Sequence, residues 1–398
     1  MKNNFYKKTN INIYKVIQDL FDSPKKFPKT TVKISHHGYG ICNNVYFINK
    51  VFFGNESNPN ELDKAVGYFS DFSDRKYLAK EINDLKLNHL LNQFNSIYQI
   101  EEPSVVFLEP DYNGGMLKHY FHFIEHLIGL WSLIQSNKIN PNKIRNIIML
   151  GGGNVEQNFA GINDINKHLT KALFPNSNFI QAKKFHEICD NKIILFKNVI
   201  FSDRTAIHQE IPKSISKLNK MLSMPANYIS HDDMESFKDK ILDYFNIVVR
   251  KREMPILTYV IRNGDRKLEE NLEKDLFDEI KKLNKFRVQK IDFAKLPFSK
   301  QVQIVSNTDV LFGVHGNGLT HLIFLPSSGK VIEIFPDDVH HLDYRMLADL
   351  KGIKYTGLDP IKGIYSRKKS YSIGATGIPT KTIEKLNIPE IIQILKNI

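Results

Sequence analysis

The sequence predicts an α/β protein of two Rossmann-type lobes with a cleft between them, and three observations lead there. Apolar runs of strand length alternate with amphipathic segments of helix length, the alternation expected when helices cover a sheet. At 398 residues the chain is long for one compact core, so two domains are the natural expectation. Two apolar runs end in polar turns, RNGDR at 262–266 and HGNG at 315–318, and wound sheets bind ligands beyond the carboxyl ends of their strands.

In chain order, SVVFLEP (104–110) reads as a strand leading through Asp111, Asn113, Gly114 and Gly115 into a helix from about Leu117 to Ile134. IRNIIMLGGG (144–153) and NKIILFKNVIF (191–201) supply further strands. A polar region between Ser202 and Tyr244, with short helices in SISKLNKML and MESFKDKILDYF, fits a link between lobes. The second half continues as strand ILTYVIR (256–262), helix LEENLEKDLFDEIKKLN (268–284), strand FRVQKIDF (286–293), helix SKQVQIVSNT and strand DVLFGVHG (309–316). GLTHLIFLP should open a helix, and GKVIEIFP (329–336), HLDYRMLADLKG and IKYTGL add a strand, a helix and a strand. The expected division is a first lobe at 1–205, a linker at 206–245, a second lobe at 246–375 and an amphipathic closing helix within 376–398.

Composition narrows the function. With 42% hydrophobic and 25% charged residues the chain is of globular type. The formal charge of +12 comes largely from lysines scattered along the whole length. Such diffuse charge marks a solvated surface, and nucleic-acid binding is not expected. The opening MKNNFYKKTNINIYKVIQDLF is too polar for a signal-peptide core or a membrane span. Cys42 and Cys189 are the only cysteines. They exclude a cysteine zinc site and a disulfide framework, leave a single bridge open, and fit a reducing compartment such as the cytoplasm.

HYFHFIEHLIGLW (119–131) places His122, Glu125 and His126 in the order H-x-x-E-H, the pattern of a zinc peptidase helix. A packed helix explains the same residues. In the second lobe, the HGNG turn would set exposed amides and a helix dipole at a strand end, while Arg262 and Arg266 bracket a turn and could fork onto a diphosphate without a metal. The spacing fits neither the Walker loop nor the dinucleotide fingerprint. Trp131 reads as core, Asp309 as a turn residue between helix and strand, His340, His341 and Asp343 as a surface or capping group, and SRKKS (366–370) as a solvated loop.

RNGDRKLEEN followed by SNTDVLFGVHGNGLTHLIFLPSSGKVIEIFP resembles the donor lobe of glycosyltransferase family 61, whose pattern is an arginine pair, a downstream asparagine and an aspartate-led strand into H-G-A/N-G-L-T. HYFHFIEHLIGLW falls where family members carry N-x-x-H-aromatic-x-x-D/E-x-x-x-P-L. His119 stands at the asparagine position, and Glu125 lies one residue before the acidic position, which His126 occupies. The resemblance runs from about Ser104 to Leu358 and implies an inverting GT-B enzyme that needs no metal or cofactor. It would take a UDP-sugar as donor and a hydroxyl of a glycan or glycoprotein as acceptor. It implies that Arg262 and Arg266 hold the diphosphate, that His315, Gly316, Asn317, Gly318 and Leu319 form an amide-lined donor turn, that Glu333 meets the ribose, and that Asn271 supports the arginine loop. The first lobe would supply the base, His122 oriented by Glu125, and the closing helix would return to that lobe. Two other readings stay open, a zinc hydrolase built on HFIEH and a noncatalytic relative that binds sugar nucleotides.

Overall fold

The computed structural model describes residues 26–35, 39–49, 51–55, 61–62, 78–91, 93–94, 96–109, 119–151, 164–202, 228–250, 252–264, 266–336, 343–360, 363–364 and 382–398. The turn at 111–115, SISKLNKML, His340, His341 and SRKKS lie outside them. The described strands form two sheets flanked by helices, the two-lobed α/β architecture that the alternation predicts.

The first sheet contains β1 (Thr31–Ser35), β2 (Tyr39–Ile48), β3 (Val51–Asn55), β4 (Leu78–Ile82), β5 (Ser96–Ile100), β6 (Ser104–Glu109), β7 (Asn146–Gly151), β8 (Asn178–Gln181) and β9 (Lys192–Ser202). Its path is β4-β3-β2-β9-β6-β7-β8, with β1 on β2 and β5 on β9. From β9 through β8 the strands run parallel, whereas β2 pairs antiparallel with β9 and β3. A wound half therefore carries an antiparallel extension. Around this sheet lie α1 (Asp84–Leu91), α2 (Tyr120–Ser136), α3 (Asp164–Leu173) and α4 (Ala182–Cys189), and α5 (His231–Tyr244) follows.

Helix α2 is apolar all round, which marks a helix buried on every side. Fourteen of its residues, from Tyr120 to Ile134, are buried. It stops where Asn137 bonds the Leu133 carbonyl at 2.9 Å and Lys138 turns to φ +52, a left-handed exit of the kind that ends many helices. Trp131 is in the core, its indole donating to Ser236 Oγ at 3.1 Å.

The second sheet contains β10 (Ile256–Val260), β11 (Arg287–Ile291), β12 (Val310–Val314), β13 (Lys330–Ile334), β14 (Lys354–Asp359) and β15 (Gly363–Ile364), with α6 (Glu270–Lys282), α7 (Phe298–Ser306), α8 (Asp343–Lys351) and α9 (Ile388–Lys396). Its order is β11-β10-β12-β13-β14-β15, parallel until the last strand. Every residue of β10 and β12 is buried, as the largely apolar runs ILTYV and VLFGV require of strands covered on both faces. Strand order reverses between β10 and β12. Such a reversal leaves a crevice at the strands' carboxyl ends.

The closing helix corrects one expectation. Ile391 and Leu395 of α9 pack with Leu276, Phe277 and Ile280 of α6, and Ile383 bridges to Leu268. The helix therefore seals the second lobe instead of returning to the first. Its apolar stripe is satisfied by the nearest uncovered helix face.

Besides clusters confined to one lobe, the lobes share a common core. A single cluster runs from β7 and α2 through Met234, Phe237 and Ile241 of α5 to Leu319, Leu322 and Phe324 and on to Met346 and Leu347 of α8. Helix α5 is set by a capping box, Ser230 with Asp233, and Ser132 of α2 donates to the same Asp233 carboxylate at 2.8 Å. Lys351, fully buried on α8, reaches Glu235 of α5 at 2.6 Å, and Lys238 bonds the other Glu235 oxygen. Burial raises the Glu235 carboxyl, yet the hydrogen bonds from the two lysines outweigh it and hold the group below its usual value. A depressed carboxyl contributes stability above its unfolded pKa and loses it as pH falls through the folded one. The melting temperature should therefore drop on acidification from neutral pH to below about 4, and Glu235→Gln should flatten that part of the curve in thermal melts followed by circular dichroism.

Candidate functional site

The reversal crevice opens into a cavity of about 600 Å³ between the lobes. Arg262, Asn263 and Gly264 after β10, Asp292 to Ala294 after β11, and Gly316 to Gly318 after β12 line it from the second lobe; His119, Tyr120 and Ile165 line it from the first. The turn after β10 and the turn after β12, singled out on sequence, thus face the same space.

Arg262 is held by its surroundings. Its guanidinium donates to the His315 carbonyl and lies over Gly316, where an added methyl carbon would fall 1.3 Å from Nη1. Glycine at 316 is what allows the arginine this seat. Gly318 serves a second close approach, because its Cβ would sit 2.5 Å from Cγ1 of Val260 in β10. Burial first, and the like charge of Arg266 second, push the Arg262 guanidinium below its usual pKa. Two cations held near one another in a half-closed site are an anion-binding arrangement. Among the described residues no carboxylate pairs with Arg262. Arg266 acts on it through charge and does not itself line the cavity.

The helix expected to open at GLTHLIFLP is a 3-10 helix, Asn317–Phe324. Its first turn lines the cavity, and the leading N–H groups of a helix have no intrahelical acceptor. Asn317 and Gly318 stand there. His315 and Leu319 do not: the His315 amide donates to Ile334 O at 2.9 Å and the Leu319 amide to Gly316 O at 2.8 Å, and the Leu319 side chain is core. Asn317 instead reaches the other lobe, its side-chain amide 3.0 Å from His119 Nε2.

Glu333 also differs from its expectation. It is fully buried on β13, one oxygen against His315 Nδ1 and the other accepting from the Tyr355 hydroxyl. A buried carboxylate needs such partners, and this one braces the turn after β12 from behind and does not line the cavity. Asn271 bonds Glu269 at the start of α6 at 3.2 Å, a local contact and not a brace for the arginine loop. Asp309 accepts from the Ile256 amide at 2.7 Å, tying β12 to β10.

On α2, His122 Nδ1 and Glu125 Oε2 are 2.7 Å apart. The i, i+3 spacing places them on one helix face. Glu125 is buried at 3% exposure, so the imidazole beside it offsets much of the cost of burying a carboxylate. The His122 ring packs 4.8 Å from that of His119, and it is His119 that reaches the cavity wall. His126 turns elsewhere: it is fully buried, edge-on to Phe107 and 3.3 Å from Ser202 Oγ. Among the described residues no group of three or more histidine, cysteine, aspartate or glutamate side chains is placed to hold a metal.

Sequence reasoning missed Asp292, Asn263 and His321. His321 lines the cavity with its ring 4.5 Å from Phe293 and its Nε2 2.7 Å from Gln301. Burial lowers its pKa to about 4, so it is neutral at physiological pH. Only fold topology brings these residues beside Arg262.

Residues 89–332 match the protein family described as Glycosyltransferase 61. The chain is 29% identical over 167 residues to the EGF domain-specific O-linked N-acetylglucosamine transferase of Drosophila melanogaster, covering 42% of this chain and 30% of that protein. With the Gallus gallus protein of the same name it shares 27% identity over 262 residues, 64% of this chain and 44% of that one. The chain thus spans less than half the length of these relatives. Among solved structures it is similar to the dodecameric iron-containing heptosyltransferase TibC, at 10% identity and a TM-score of 0.31, covering 75% of this chain and 79% of that one. No helix among the described residues is long and apolar enough to cross a membrane.

Proposed function

The chain belongs to glycosyltransferase family 61, and from that premise we propose that it transfers a sugar from a UDP-sugar to a hydroxyl of a glycan or glycoprotein, with inversion and without a metal ion. The observation that carries the proposal is the seat of Arg262: a guanidinium laid on Gly316, beside the opening amides of a helix, at the strand-order reversal of a wound sheet. That is a site for a leaving diphosphate. In the proposed reaction the acceptor oxygen attacks the anomeric carbon as the bond from that carbon to the diphosphate oxygen breaks on the opposite face. The negative charge that grows on the diphosphate meets Arg262, with Arg266 adding to the field, and the amides of Asn317 and Gly318. The acceptor proton passes to His122, whose ring Glu125 orients. A glycoprotein acceptor is supported by the names of the relatives, whose stated substrates are EGF domains.

Transfer should survive chelation. With EDTA present, turnover of a UDP-sugar on its acceptor, or its slow hydrolysis, is expected to stay within about twofold of the untreated rate, since arginine and amides do the work of a divalent ion. Loss of activity that one added metal restores would overturn the metal-free reading. The hydrolase alternative predicts bound zinc by elemental analysis, and the noncatalytic alternative predicts donor binding with no turnover on any acceptor.

A further inference from the structure

We infer that Asp292, steadied by Asn263, is the group that takes the ribose hydroxyls of the donor nucleotide. The inference rests on the donor reading above and adds to it the residue that tells a ribonucleotide from a deoxyribonucleotide. Asp292 directly follows β11, the strand beside β10 on the side away from β12. The two strands are locked in register up to the cavity, with Val260 opposite Ile291 and the Ile261 amide donating to Ile291 O at 2.8 Å. The phosphate-binding turn after one strand and the carboxylate after its neighbour therefore open onto the same space. In wound sheets that bind dinucleotides, an acidic residue beyond the phosphate turn takes the ribose hydroxyls. A nucleotide with its diphosphate on Arg262 and the 316–318 turn brings its sugar past the adjacent strand end.

The chemistry fits. A vicinal diol offers two O–H donors, and an ionised carboxylate accepts only, with room for more than one donor on each oxygen. Asn263 Nδ2 donates to Asp292 Oδ2 at 2.6 Å, the Ala294 amide to Oδ1 at 3.1 Å, and Lys295 stands 3.2 Å away. These contacts fix the side chain and leave it 11% exposed, at the cavity wall. The bond from Asn263, then the partners on Lys295 and Ala294, hold its carboxyl below the usual aspartate value, so the acceptor form persists at neutral pH. Asn263 directly follows Arg262, so the same bond couples the arginine loop to the carboxylate. Glu333, the acid favoured on sequence, is fully buried and does not line the cavity, whereas Asp292 does.

The competing account makes Asp292 only the cap of the turn Phe293–Lys295. Calorimetry of the full chain with UDP and with 2′-deoxy-UDP separates the two. The parent should bind UDP at least about tenfold more tightly than the deoxy form, because a carboxylate left facing a missing hydroxyl is a penalised site. Asp292→Ser keeps a good capping side chain but cannot reach the diol, and Asp292→Asn keeps the length with half the acceptors. The ratio should fall to near one in the serine variant and to an intermediate value in the asparagine variant, with melting temperatures near the parent's. If both variants keep the parental ratio, or the parent shows no preference, the inference is overturned while the donor reading stands. A parent that binds neither nucleotide overturns both.

Discussion

Arg262→Ala is expected to lower kcat/KM for transfer by about 2 to 4 kcal/mol, roughly 30- to 1,000-fold, the scale for removing a charged stabiliser of a developing oxyanion. UDP affinity should fall with it, because the diphosphate keeps most of its charge in the ground state. The fold should hold, because the side chain sits at a cavity wall. Arg262→Lys should recover only part of the loss, since an ammonium cannot span His315 O and a phosphate as a planar fork does. Gly316→Ala offers an independent check. Its methyl carbon would occupy the guanidinium's place, so it should mimic the arginine deletion with Arg262 still present. Arg266→Ala should act in the same direction through the field. Calorimetry with UDP and initial rates with a UDP-sugar measure all four, and parental binding and turnover in Arg262→Ala and Arg266→Ala would remove the diphosphate assignment.

His122→Ala is expected to slow transfer about a hundredfold while UDP affinity stays near the parent's, the split that marks loss of a base and not of a binding group. Glu125→Gln should follow it in sign, since an amide still contacts the ring but carries no charge to face the proton it takes up. The alanine variant takes the His122 contact at 2.7 Å from a 3%-exposed carboxylate, so a stability cost of about 1 to 3 kcal/mol should accompany it; melting curves taken with the rates keep the two effects apart. Near-normal transfer in His122→Ala would shift the base to His119, which stands in the cavity wall.

The second lobe was the more legible. ILTYV and VLFGV are largely apolar runs that only a doubly covered parallel strand uses, and the polar turns after them are where a wound sheet must bind. Helix α2 was equally plain from its length and lack of proline. Strands between residues 26 and 100 went unread because their pattern is interrupted: β2 contains Asn43 and Asn44, the latter at φ +53, and no clean period of two survives. Glu333 and Asp292 show a different limit. Each is an acid in or just after an apolar strand, and the sequence alone favoured the wrong one as cavity residue. Register against β12 and β14 turns Glu333 inward to His315 and Tyr355, whereas the β11-β10-β12 order carries Asp292 to the rim. The 3-10 winding of Asn317–Phe324 was hidden too, since GLTHLIFLP has an ordinary helical composition and the tight seat of Gly318 on Val260 is a tertiary fact.

The cluster that passes from α2 through α5 into the second lobe bears on how the molecule is made and lost. Two lobes with separate cores can fold one after the other as the chain emerges, and either can be cut free. Here the first lobe's central helix is completed by residues nearly 200 positions further on, Leu319 and Leu322 among them. Neither half finishes its interior until the other arrives. The histidines of α2 and the turn that seats Arg262 thus belong to one cooperative unit, and unfolding that opens the cleft also dissolves both of its walls.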